Sequence, residues 1–186
     1  MIHAKTIADS LTLSRFLLAL LILWLGLSGG SEALSAATTA LVFAWATDLL
    51  DGPLARRDPS GRQTWVGMLD LQADLSIATG VLCFLTLGGF IPIWAGITYA
   101  LIAAGLLLYF RSQHLGWAVQ APPYGVMLYV ALRDATLHGV IAVAWIILTV
   151  IVTWPRFPKE TVPAFLRGMR SLGRPFPEEE RKVHQT

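Results

Sequence analysis

Thr47-Asp48-Leu49-Leu50-Asp51-Gly52-Pro53-Leu54-Ala55-Arg56-Arg57 ends one apolar run, and Leu69-Asp70-Leu71-Gln72-Ala73-Asp74 opens the next. The first run extends back to about Ala33 and the second forward to about Gly89, each near the ~20 residues that carry a helix across a bilayer. The loop between them, about Pro53 to Gly67, is short enough to keep the two helices adjacent. Asp48 and Asp51 are three apart and share a helix face, as do Asp70 and Asp74, four apart. A helix hairpin therefore brings both pairs to one end. An aspartate near the membrane interior costs roughly 2.5–3.5 kcal/mol, less toward the interface, so four of them call for a compensating function.

Outward from this hairpin, apolar segments run from about Ser10 to Gly29, Ile91 to Phe110, Gln120 to Leu132 and Leu137 to Trp154. The fifth is short and opens with Pro122-Pro123, which a first helical turn tolerates. Of 186 residues, 55% are hydrophobic and 14% charged, with mean hydropathy +0.60, too few polar groups to cover a water-soluble domain. With the N-terminus inside, every one of the 14 Lys and Arg residues except Arg133 falls on a cytoplasmic segment. The expected fold is thus all-α, a polytopic membrane protein with six transmembrane helices and both termini cytoplasmic. Residues 1–155 would form the transmembrane catalytic domain and 156–186 a cytoplasmic tail. In that tail Phe165, Leu166, Met169 and Leu172 recur at helical spacing between Arg167 and Arg170, consistent with an amphipathic helix on the inner surface or a plain cytosolic segment. The lone Cys83 excludes an intramolecular disulfide. No small-residue cleavage site follows the first run, which reads as a retained helix. A membrane lipid is an expected partner and nucleic acid is not.

Four converging carboxylates repel one another, and hard divalent cations such as Mg²⁺ or Mn²⁺ resolve this with oxygen ligands. Asp48, Asp51, Asp70 and Asp74 suffice for a two-metal site clamping a phosphoryl group. Phosphoryl transfer asks mainly for positioning and charge neutralisation, which suits a site without His or Cys nucleophiles. Gly52 lets a nucleotide approach the backbone, and Arg56 places a guanidinium one to two turns on, where diphosphate oxygens would lie. A different class stays open: a non-catalytic cation-binding or ion-translocating membrane protein.

The spacing Asp-x-x-Asp-Gly-x-x-Ala-Arg, then Asp-x-x-x-Asp, met by Asp48, Asp51, Gly52, Ala55, Arg56, Asp70 and Asp74, resembles the signature of the CDP-alcohol phosphotransferase family. The resemblance implies that Asp48, Asp51 and Asp70 ligate metal, and that Asp74 ligates metal and takes the acceptor hydroxyl's proton. Gly52, Ala55 and Arg56 would line the CDP site, with Thr47 beside them. Val66 stands where the family has a second glycine, and Gly67, one place later, is the candidate to replace it. The implied donor is CDP-linked, commonly CDP-diacylglycerol. The acceptor would be a small alcohol or phosphorylated alcohol, the by-product CMP, and the pathway phospholipid biosynthesis. A homodimer in the bacterial cytoplasmic membrane, with its site facing the cytoplasm, is expected on the same ground. Leu11-Thr12-Leu13-Ser14-Arg15 is similar to the opening of phosphatidylglycerophosphate synthases. Arg111, just past the fourth apolar segment, is a candidate to grip an acceptor phosphate with two hydrogen bonds.

Overall fold

The computed structural model describes residues 4–56, 69–155 and 157–171, with residues 4, 5, 8, 51–56 and 171 as backbone alone. All regular structure among them is helical. Six long helices follow in order: α1 (Ala4–Gly29), α2 (Leu34–Arg56), α3 (Asp70–Leu87), α4 (Ile93–Phe110), α5 (Gln113–Asp134) and α6 (Thr136–Val152). A short α7 (Val162–Ser171) ends the described chain. The long helices hold between 17 and 26 residues. At ~1.5 Å per residue each is close to or longer than the ~30 Å hydrocarbon core of a bilayer. Each of the six apolar segments coincides with one of them.

Turns fall where backbone freedom allows them. α1 gives way to a 3₁₀ turn, Gly30–Ala33, entered through Gly30 at φ +51°. The α3–α4 connection turns through Gly89 at φ +73° and then Pro92, whose extended backbone starts α4. Positive φ costs glycine little, since it has no Cβ.

The fifth helix is longer than its prolines suggest. α5 begins at Gln113, not near Gln120, and Pro122 and Pro123 lie inside it. Pro123 has no N–H to give the carbonyl of Val119, four residues back. The Tyr99 hydroxyl of α4 donates to that oxygen instead, at 2.5 Å. A side chain from the next helix thus replaces the lost bond and lets the helix run through.

α1, α2, α3 and α5 enclose the core, with Ile22, Leu41, Val81, Phe84 and Met127 fully buried. Ala37, Ala40 and Ala44 put small side chains on the buried side of α2, and at Gly80 the backbones of α3 and α1 nearly touch. A Cβ there would stand 2.8 Å from the carbonyl oxygen of Ala19. Small residues at helix crossings are what allow close packing where lipid gives no hydrophobic drive between helices. Outside the core, α4 buries only Gly96, and Leu101, Leu108 and Tyr109 are among its many exposed apolar side chains. That surface suits lipid, not water.

Asp9–Leu50, Asp70–Leu87 and Ile93–Phe110 are each long and apolar enough to cross a membrane. α5 is more polar, and it is the helix that touches α2, α3, α4, α6 and α7. A helix surrounded by helices need not be apolar all round. The contacts also fix directions. Ala19 on Gly80 and Gly26 on Phe84 make α1 and α3 parallel, while Leu71 against Gly116 sets the starts of α3 and α5 side by side. The start of α1, the end of α2 and the starts of α3 and α5 therefore share one end of the bundle. α7 joins them there, its Gly168 seated on the His114 ring of α5. The segment carrying α7 is bent 82° from α6, so it lies across the bundle end, with Phe165 and Met169 half-buried and Arg167 and Arg170 exposed.

Candidate metal and transfer site

Asp48 stands near the end of α2, and Asp70 and Asp74 occupy the first two turns of α3. One carboxylate oxygen from each comes within 4.8 Å of the others. The expected convergence holds for these three. Asp51, Gly52, Ala55 and Arg56 fall on the last turns of α2, where backbone alone is described, and Gly67 lies outside the described residues. The Thr47 hydroxyl donates to the Ala44 carbonyl oxygen within its own helix, at 2.8 Å.

What holds the three carboxylates together is Arg15, which the sequence offered as a positive-inside anchor and as the end of the Leu11–Arg15 string but not as a site residue. Arg15 of α1 is 1% exposed, the largest fully buried side chain among the described residues. Its Nη1 donates to Asp48 Oδ1 at 3.0 Å and also to Asp74 Oδ1, and its Nη2 donates to Asp70 Oδ1. Nη2 lies 3.4 Å from the Thr12 hydroxyl, one turn back on α1. The aspartates themselves are open, Asp48 and Asp70 about half exposed at 50% and 51%, Asp74 at 22%. The signal was present in the sequence: a cluster of acids at one bundle end needs a cation, and Thr12-x-x-Arg15 points one there from the neighbouring helix.

A cavity of about 340 Å³ adjoins this cluster. Asp48, Asp74 and Arg15 form its charged wall, and Trp45, Trp117, Gln120 and Tyr124 stand around it. Helical spacing assembles it. Trp45 and Asp48 are three apart on α2, and Trp117, Gln120, Ala121 and Tyr124 form one stripe on α5. The Trp45 and Tyr124 rings meet edge to face, centroids 5.5 Å apart. The Tyr124 hydroxyl lies 3.3 Å from the Asp74 carbonyl oxygen and 3.5 Å from Gln120 Oε1, with a single proton to donate. Gln120 in turn donates to the Gly116 carbonyl oxygen at 3.1 Å. This α5 wall is hidden in the sequence, because Pro122-Pro123 reads as a helix start and leaves Trp117 in a loop, whereas α5 begins at Gln113. Arg111 is exposed, caps α4 at φ +47° and ψ +35°, and is not among the residues lining the cavity.

The donor set suits a hard divalent cation. Three carboxylate oxygens within 4.8 Å need little movement to close on one ion at ~2.0–2.6 Å from each. A divalent ion would also supply the positive charge that one guanidinium against three carboxylates lacks when the acids are ionised. The family model described as CDP-alcohol phosphatidyltransferase matches residues 5–160, which include all of these residues. Neither a curated protein nor a solved structure matches the chain.

Proposed function

The chain belongs to the CDP-alcohol phosphatidyltransferase family, and on that premise we propose that it is an integral membrane enzyme transferring a phosphatidyl group from CDP-diacylglycerol to an alcohol. The observation that carries this reading is the convergence of Asp48, Asp70 and Asp74 on the wall of one cavity.

In the proposed reaction the acceptor hydroxyl sits in the cavity with its oxygen toward the donor's lipid-bearing phosphorus. Asp74, which lines the cavity, takes the hydroxyl proton as the new P–O bond forms. The P–O bond to the cytidine monophosphate breaks, and CMP leaves with its electron pair. Asp48, Asp51, Asp70 and Asp74 would hold Mg²⁺ or Mn²⁺, which when bound neutralises the diphosphate and polarises its oxygens. Gly52, Ala55, Arg56 and Gly67, with Thr47 alongside, are the proposed CDP-binding stretch.

The cavity's aromatic and amide walls, Trp45, Trp117, Tyr124 and Gln120, are suited to a hydroxylated acceptor of modest size. Arg111 is exposed and off the cavity, so its proposed part is to draw an anionic acceptor to the bundle end, not to hold the reacting group. Residues 1–155 form the catalytic unit in this reading, crossing the bilayer six times with the acid end cytoplasmic. Residues 156–186 form a tail whose α7 lies on the inner membrane surface. The protein is proposed to work as a homodimer in a bacterial cytoplasmic membrane.

The reading is tested by mass spectrometry of the lipids made by purified protein from CDP-diacylglycerol with glycerol 3-phosphate, inositol phosphate or uncharged headgroup alcohols. One acceptor should give a new phospholipid. No lipid product with any of them would remove the proposed activity.

A further inference from the structure

Arg15 makes ion pairs with each of the three carboxylates that are placed to hold a metal ion. Three of its hydrogen bonds end on the Oδ1 atoms of Asp48, Asp70 and Asp74, the residues whose oxygens gather within 4.8 Å. A divalent ion centred among those oxygens would lie within a few ångströms of the guanidinium, where like charges repel strongly at the low effective dielectric of a buried side chain. Arg15 is 1% exposed, so water does little to screen it. Thr12 and Arg15 share a face of α1, and α1 is packed rigidly on α3 at Gly80, so the guanidinium is delivered to the carboxylates by the backbone and not by a mobile loop.

We propose that Arg15 is an internal counter-ion that competes with the divalent cation: it holds Asp48, Asp70 and Asp74 together in the metal-free protein and is displaced from them when metal binds. The inference rests on the metal-holding role given to these aspartates above. Its use is plain. Without a cation the half-exposed acids would repel and splay the α2–α3 hairpin, whereas with Arg15 in place the ligands stay gathered for the incoming ion. The cost is affinity. A site closed by its own arginine in ~90–99% of molecules binds metal ~10- to 100-fold more weakly than the open site would.

The test uses full-length protein purified in detergent, metal-stripped, and titrated with Mn²⁺ while free ion is followed by electron paramagnetic resonance. Arg15→Met should bind Mn²⁺ at least ~10-fold more tightly than wild type. Its metal-free melting temperature should be lower than that of wild type, and Mn²⁺ should raise it by more. Arg15→Lys, whose single ammonium cannot bridge three carboxylates, should fall between the two and carries the test if Arg15→Met does not fold. Equal or weaker Mn²⁺ binding by both variants overturns the competition. Absence of Mn²⁺ binding by wild type and variants alike overturns the metal-holding role itself, a separate result.

Discussion

Asp48, Asp70 and Asp74 each spend one oxygen on Arg15, so their three removals are not alike. Asp48→Asn and Asp70→Asn take away a metal ligand's charge and should lower metal affinity and abolish turnover. Asp74→Asn additionally removes the proposed proton acceptor. General-base contributions are ~10²–10⁴-fold, so this variant should stay inactive even at saturating metal. Recovery of Asp74→Asn to near wild-type kcat at high Mn²⁺ would restrict Asp74 to holding metal. For Arg111, the left-handed backbone at φ +47° gives a clean substitution: Arg111→Gly removes the guanidinium and relaxes the strain. If Arg111 attracts an anionic acceptor from outside the cavity, this variant should raise the acceptor KM several-fold at low salt with kcat unchanged. The difference should fade at high ionic strength, beyond the screening length of an exposed charge. Unchanged KM at low salt would leave Arg111 as the cap of α4 and no more.

At the scale of elements, the apolar runs made six helices legible because a bilayer imposes a length that globular proteins do not. The carboxylate spacing placed Asp48, Asp70 and Asp74 at one end for the same reason. What the sequence concealed depends on contacts between helices. Pro122-Pro123 reads as a helix boundary until Tyr99 is known to serve the Val119 carbonyl, a partnership twenty residues away along the chain. Arg15 reads as an anchor until α1 is seen lying parallel to α3. The Tyr99 bond can be measured. Tyr99→Phe leaves a carbonyl without its donor and should cost about 1–3 kcal/mol, seen as a lower melting temperature in detergent. In a Pro123→Ala background residue 123 regains an N–H for Val119, so the same Tyr99→Phe change should cost clearly less. Equal losses in both backgrounds would mean that the hydroxyl does not stand in for the missing helix bond.

For the whole molecule, topology and chemistry are tied to the same bundle end. The α1 start, α2 end, α3 and α5 starts and α7 meet there, and so do Asp48, Asp70 and Asp74 and, among the described residues, Arg15, Arg111, Arg167 and Arg170. A single cysteine introduced at Pro59, in the stretch joining α2 to α3, with Cys83 replaced by Ala, should react with membrane-impermeant thiol reagents from the cytoplasmic side alone. Labelling in intact cells would invert the topology. The central claim, transfer from a CDP-linked lipid by metal-holding aspartates, is tested most directly by release of CMP from CDP-diacylglycerol by purified protein with the acceptor that yields lipid. CMP and new phospholipid should form in equal amounts with Mg²⁺ or Mn²⁺, stop in excess EDTA, resume when metal is restored, and be absent in Asp48→Asn. Undiminished CMP release in excess EDTA would contradict it.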